Sequence, residues 1–222
     1  MQRTLIKSNM WYKDIFENNQ KWVTRKLQHD PDYFKRLSTQ QSPEYLYIGC
    51  SDSRVSIEKL MGLQPGELFV HRNIGNIVVN TDSNINAVIQ YAVEHLHVKH
   101  IIVCGHYNCG GVKAAMHPTD MGQLNGWLQV IRDVYHTHRD ELDSIEDIDE
   151  RYDRLVELNV KEQCLNVMKI DHVQRSWVTK QTPQVHGWIV DLRTGLLKDL
   201  ELNTRELFEE VEDIYNINFD HK

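Results

Sequence analysis

Short apolar runs alternate with stretches of helical periodicity over most of the chain. Tyr45 to Gly49 is an unbroken apolar run of strand length, and Leu68 to Val70 is a second, following the Pro65-Gly66 turn. Ile101 to Cys104 is a third and Val185 to Leu192 a fourth, with Leu196 to Leu202 after Gly195 placed to pair with it as an edge strand. Between these runs, apolar residues recur at helical spacing: Ile57, Leu60 and Met61; Ile85, Val88, Ile89, Ala92 and Leu96; Trp127, Leu128, Ile131 and Val134. Strands alternating with helices predict an α/β fold with a mostly parallel four-stranded sheet, an antiparallel edge strand and flanking helices.

The N-terminal region follows a different pattern. Trp11 to Leu27 spaces Ile15, Phe16, Trp22, Val23 and Leu27 as one helix. Asp30-Pro31 predicts an N-cap and first-turn proline, opening a short helix toward Leu37. These helices need another body to pack on, and a partner subunit is one candidate.

Composition narrows the function classes. At 222 residues and 41% apolar content, the chain can bury one large core. A formal net charge of -7 opposes a phosphate backbone, so no nucleic-acid partner is expected. Met1 to Ser8 holds Arg3 and Lys7 but no apolar core of signal-peptide length, and no run is long enough to span a bilayer. A soluble, cytoplasmic protein without a membrane partner is expected. Four cysteines in that compartment point to reduced thiols or a metal, not a disulfide framework. The acidic stretch from Asp140 to Asp153 reads as a solvated helix or loop face.

Two strand-to-helix turns carry the unusual residues. Cys50-Ser-Asp-Ser-Arg54 ends the first apolar run, and His106-Tyr-Asn-Cys109-Gly-Gly111 ends the third. In an open parallel sheet, ligands gather at the carboxyl ends of strands near a switch in strand order, so both turns can face one crevice. Two thiolates and an imidazole from Cys50, His106 and Cys109 suit zinc and leave a fourth tetrahedral position open. An open position serves hydration or hydrolysis, because the metal acidifies a water placed there.

Taken singly, each residue has a plainer explanation. A lone cysteine at a strand end is more often a small buried hydrophobe, which is the reading for Cys104 and Cys164. Asp52 and Arg54 could be a surface ion pair of little energetic consequence. Beside a metal, however, Asp52 could ligate it or accept a hydrogen bond from its water, and Arg54 would decide by holding the carboxylate away.

The joint motif resembles the signature of the β-class carbonic anhydrases. Further matches are Gln64-Pro-Gly-Glu67, His71-Arg-Asn73, Glu94 within Tyr91 to Leu96, and His186-Gly-Trp188. The resemblance runs over nearly the whole chain. It implies zinc on Cys50, His106 and Cys109, with Asp52 and Arg54 as the catalytic pair. It also implies a substrate pocket lined by Gln41, Phe69, Ile74 and Tyr91, some of them supplied by an adjoining subunit. On their residue types alone, Phe69 and Tyr91 would read as ordinary core.

The implied activity is reversible hydration of carbon dioxide to bicarbonate and a proton, in a homodimer or homotetramer. Residues 1–40 would form an arm packing on a partner subunit, and residues 41–222 the catalytic domain. Two thiolates neutralise the metal's charge, so activity should rise toward alkaline pH. His95 is a candidate proton relay by resemblance. Some relatives carry a second bicarbonate pocket of tryptophan, arginine and tyrosine; the matching positions here are Tyr47, Arg72 and Val190. With the donors at two of the three altered or lost, strong bicarbonate-linked switching is not expected.

Competing readings share the ligands. A hydrolase of carbon disulfide or carbonyl sulfide would differ only in pocket access. A structural zinc site would more often close with a fourth cysteine or histidine than with Asp52 and Arg54. A zinc deaminase expects His-x-Glu, whereas Tyr107 and Asn108 follow His106.

Overall fold

The computed structural model describes residues 12–215. Contacts divide the chain into two units, Met1–Gln41 and Ser42–Lys222. In the first, α1 spans Tyr12–His29 and α2 spans Tyr33–Leu37. Trp11 and the Met1 to Ser8 segment lie outside the described residues. Trp22, Tyr33 and Phe34 meet edge to face, with Phe34 centroids 5.3 Å from Trp22 and 4.9 Å from Tyr33.

The expected cap falls elsewhere. Asp32, not Asp30, occupies the N-cap of α2, and its side chain makes no capping bond. Asp30 instead accepts both hydrogen bonds of the Arg36 fork, one of them at 3.0 Å. Its carbonyl also takes the Tyr33 amide, closing a turn that delays the helix past Pro31. None of α1 is buried in the single chain, and Ile15 and Phe16 stay more than half exposed.

The second unit contains β1 (Tyr45–Cys50), α3 (Ile57–Met61), β2 (Leu68–Asn73) and α4 (Ser83–Gln90). A π-helical turn, Tyr91–His95, extends α4 before β3 (His100–His106), α5 (Gly110–Ala115) and α6 (Leu124–Thr137). Then come α7 (Arg139–Asp143), α8 (Ile148–Met168), α9 (Asp171–Lys180), β4 (Gln184–Asp191), β5 (Leu196–Asp199) and α10 (Thr204–Tyr215).

One five-stranded sheet runs in the order β2-β1-β3-β4-β5, parallel except for the edge strand β5. From β1 the chain first moves outward to β2, then crosses back to β3 on the other side. The order therefore reverses between β1 and β3, where such sheets open a crevice at their carboxyl ends. Leu46, Ile48, Ile101 and Val103 are fully buried on these central strands, which explains why they read as unbroken apolar runs.

Two details depart from the sequence expectation and one, the acidic stretch, agrees with it as a helical, solvated face. The edge strand stops at Asp199 instead of reaching Leu202, and Glu201 soon after has a left-handed backbone, φ 56°. The acidic stretch is α7 plus the first turns of α8, and it buries Leu142 and Tyr152 while its carboxylates face out. The longest helix, α8, has 21 residues and is buried along much of its length. Its buried positions fall on several sides and include Asn159 and Gln163, so no clean apolar stripe betrays it.

Candidate metal centre

Cys50 is the last residue of β1 and His106 the last of β3, on adjacent strands at the switch point. Cys109 follows one tight turn later as the N-cap of α5. Asn108 supplies that turn with a left-handed φ of 60°, which asparagine tolerates better than most residues, so the chain reverses within three residues. The two sulfurs lie 3.8 Å apart, and all three candidate ligand atoms fall within 4.8 Å of one another. All three residues are buried.

The donors fit a metal. The His106 Nδ1 lies 3.0 Å from the Tyr107 carbonyl, which can only accept, so this nitrogen carries the hydrogen. Nε2 then holds a lone pair, is buried, and has no hydrogen-bond partner. A buried, unpaired acceptor facing two thiols is costly unless something binds it. Orientation of a ligating imidazole through its other nitrogen is the usual arrangement at zinc sites.

Thiol electrostatics lean the same way. A hydrogen bond from Cys109, above all, lowers the Cys50 thiol to about 4, with further help from His106 and from the Gly75 and Asp52 backbone amides. Donating that hydrogen and being buried both push Cys109 upward, while the Val112 and Gly111 amides at the start of α5 pull against this. A deprotonated sulfur surrounded by amide donors is ready to bind a cation.

Asp52 sits beside the cluster, its Oδ2 3.7 Å from His106 Nε2. Arg54 grips it with two parallel bonds, Nε to Oδ1 at 2.9 Å and Nη2 to Oδ2 at 2.6 Å, and the Arg54 amide adds a third at 2.9 Å. The Arg54 hydrogen bond, foremost, holds the Asp52 carboxyl well below the usual carboxylate range. Asp52 is therefore ionised and held at the edge of the cluster.

Residues outside the two ligand turns brace the first of them and the loop after β2. Arg72 on β2 donates to the Cys50, Asp52 and Val55 carbonyls. The Asn73 side chain bridges to the Ile77 carbonyl and amide, both at 2.8 Å. Trp127 Nε1 donates to the Ile74 carbonyl at 2.7 Å, and buried Asn159 donates to the Gly75 carbonyl at 3.0 Å. Ile74 packs so closely over Gly111 that a Cβ there would lie 2.9 Å from its Cγ2. Asn159 and Gln163, four apart on α8 and fully buried, were missed; their signal is two polar residues among the apolar positions of that helix.

The remaining expected pocket residues are placed differently. Phe69 and Tyr91 face each other at 5.9 Å, and Tyr91 lies 5.3 Å from His95; Tyr91 is 45% exposed, so it is not core. Phe69 precedes Asn73, the register partner of Cys50, by four residues, roughly 13 Å along the strand. Gln41 closes the first unit. Cys104 and Cys164 are buried free thiols, Cys104 pushed up to about 12 by burial, and both behave as small hydrophobes.

Comparison with known proteins agrees with this geometry. A family model described as carbonic anhydrase matches residues 45–197. A carbonic anhydrase of Emericella nidulans is 56% identical over 203 residues, 91% of this chain and 89% of that one. A carbonic anhydrase of Candida albicans is 35% identical over 97% of this chain and 76% of its own. Among solved structures, the β-carbonic anhydrase CafA of Aspergillus fumigatus superposes with a TM-score of 0.86 at 36% identity, covering 93% of this chain and 99% of that one. One of two tetrameric β-carbonic anhydrases from Sordaria macrospora gives 0.83 at 40% identity, covering 86% and 97%. With two cysteines, a histidine and an aspartate–arginine pair brought together at the switch point of such a sheet, this chain belongs to the β-carbonic anhydrases.

Proposed function

We propose that the chain hydrates carbon dioxide reversibly to bicarbonate and a proton, on a zinc ion held by Cys50, His106 and Cys109. The observation that carries this reading is the buried, unpartnered His106 Nε2 facing two thiols, with an ionised carboxylate 3.7 Å away. Bound there, zinc supplies a Lewis acid that makes water nucleophilic near neutral pH. The other tasks fall to side chains.

Asp52 accepts a hydrogen bond from the attacking oxygen and orients it. Arg54 occupies both carboxylate oxygens, which keeps Asp52 from turning into the ligand position. Ile74, at the rim beside Gly111, supplies an apolar wall for carbon dioxide. Gln41, Phe69 and Tyr91 complete the pocket from a second subunit, where Gln41 donates to bicarbonate. The distance of Phe69 from its own cluster along β2 supports a source in another copy.

Residues 1–40 act as an arm on that subunit, in a homodimer or homotetramer. The exposed apolar residues of α1 and the tetrameric relatives support this. Four free cysteines favour a reducing compartment such as the cytoplasm. Among the described residues, no helix is long and apolar enough to cross a membrane.

Stopped-flow carbon dioxide hydration, with zinc measured on the same sample, tests the proposal. The expected result is about one zinc per chain and turnover that rises toward alkaline pH. A zinc-loaded protein that leaves carbon dioxide hydration at the buffer rate overturns it.

A further inference from the structure

We infer that Arg72 is a positioning residue for the reaction: its guanidinium fixes the Cys50–Val55 turn by holding three of that turn's carbonyls. Its Nε donates to the Cys50 carbonyl at 2.8 Å, its Nη2 to the Asp52 carbonyl at 2.8 Å, and its Nη1 to the Val55 carbonyl at 3.0 Å. The three acceptors are the beginning, middle and end of one turn. That turn carries a candidate ligand, the carboxylate and the arginine that restrains it.

The register explains how Arg72 reaches them. Arg72 pairs with Gly49 and Asn73 with Cys50 in the parallel ladder between β1 and β2. The ladder passes its last bond to the turn, from the Ser51 amide to the Asn73 carbonyl at 2.8 Å. Past that point β2 has no further strand to offer, and the turn's carbonyls need more donors than the Val55 amide, which reaches the Asp52 carbonyl at 3.2 Å. Arg72 supplies them from its side chain. A guanidinium is the one side chain with donors spread in a rigid plane, so it can hold three carbonyls at once, which a lysine cannot.

The local setting favours this task over anion binding. Arg72 is directed to neutral carbonyls of its own chain, and its neighbours offer an anion little. Tyr47 is buried and shares a hydrogen bond with the Cys104 thiol, while Val190 is buried and has no donor. The consequence is mechanical. Asp52 and Arg54 bond to each other, which fixes their mutual geometry, while a long 3.4 Å contact from Arg54 Nη2 to the Asn108 carbonyl only weakly fixes where the pair stands relative to Cys50 and His106. Arg72 sets that placement through the backbone.

The inference deepens the proposed hydration reading and rests on it for its kinetic part. The test compares Arg72→Lys and Arg72→Gln with the unmodified protein by three measurements: carbon dioxide hydration, zinc content, and amide hydrogen exchange of Ser51 to Val55. The expected result for Arg72→Lys is a global melting temperature close to that of the unmodified protein. Its kcat should fall about a hundredfold with KM little changed, because a turn misplaced by about 1 Å costs that much. Exchange should accelerate in the turn and stay unchanged in β3. Arg72→Lys with unmodified kcat and a protected turn overturns the inference. So does a lysine variant that keeps its turnover but loses a bicarbonate-dependent inhibition, since the guanidinium would then serve an anion and not the turn. Should both variants fail to fold, exchange of the Ser53 amide in the unmodified protein decides, because the Ser51 and Val55 amides are already held by the Asn73 and Asp52 carbonyls: a slow Ser53 amide supports the clamp, and one as fast as an open turn refutes it. If the unmodified protein hydrates no carbon dioxide, the functional reading fails, while the exchange data still test the clamp.

Discussion

Asp52 and Arg54, one residue apart, face each other through two parallel hydrogen bonds of 2.9 and 2.6 Å, and the same carboxylate stands 3.7 Å from the His106 Nε2. An exposed ion pair of this kind contributes little to folding. Its value lies in direction. A carboxylate engaged by a planar fork at both oxygens cannot rotate freely toward the cluster beside it.

Arg54→Ala is therefore expected to keep its zinc and its fold while losing about a hundredfold in hydration turnover, as Asp52 is freed to turn toward the cluster. Stopped-flow rates and metal content on one preparation check this. Near-normal rates, with Asp52 still remote from the metal in a crystal structure, would contradict the restraining role.

Removal of a thiol acts earlier. Cys50→Ala and Cys109→Ala each leave two protein donors, too few to retain zinc tightly, so the content should drop from about one per chain toward zero. Atomic absorption after dialysis against a chelator reads it. A fully loaded Cys50→Ala with ordinary turnover would sink the ligand assignment.

Gly105 lies in β3, one residue before His106, under α8. A Cβ there would meet Val160 Cγ2 at 2.8 Å, Val156 Cγ1 at 3.1 Å and Ile189 Cδ1 at 3.3 Å. Gly105→Ala should destabilise by about 1–3 kcal/mol, with roughly 2–4 °C of melting temperature lost per kcal/mol. Gly126→Ala on α6, where a Cβ has open space, is the control and should not lose stability. Equal melting temperatures for the two variants would show that α8 yields to the added methyl.

His100 and His186 give the fold an acid-sensitive point. His100 Nδ1 and His186 Nε2 lie 3.0 Å apart on adjacent strands, so they share one hydrogen. Burial pushes both below the usual histidine range, and His100 lowers His186 further. Above the unfolded value of about 6.5 both are neutral, folded or not, and the pair costs nothing. As pH falls below that value the unfolded chain takes up protons first, and stability is lost until the folded values are passed. His186→Phe should flatten part of the decline in melting temperature between about pH 7.5 and 5.5; an unaltered slope would place the sensitivity elsewhere.

Much of this was legible in the residue string, for local reasons. Runs such as Ile101 to Cys104 announce strands buried on both faces, and Cys50-x-Asp-x-Arg54 with His106-x-x-Cys109 places chemistry at two strand ends. Helix α8 was less legible, since burial on most sides erases the stripe that periodicity detects. Asp30 misled because a capping residue type beside a proline says nothing of an arginine six positions later. The sequence by itself determined the fold class, the candidate ligand types and the aspartate–arginine pair, because each is carried by short local patterns repeated or placed along the chain. Only the tertiary structure decided that β1 and β3 lie side by side, that His106 leaves Nε2 unpaired, and that Arg72 reaches three carbonyls of a turn 17 to 22 residues earlier. Those facts depend on strand order and register, which arise from burial and hydrogen bonding summed over the whole sheet, and no local spacing encodes that sum.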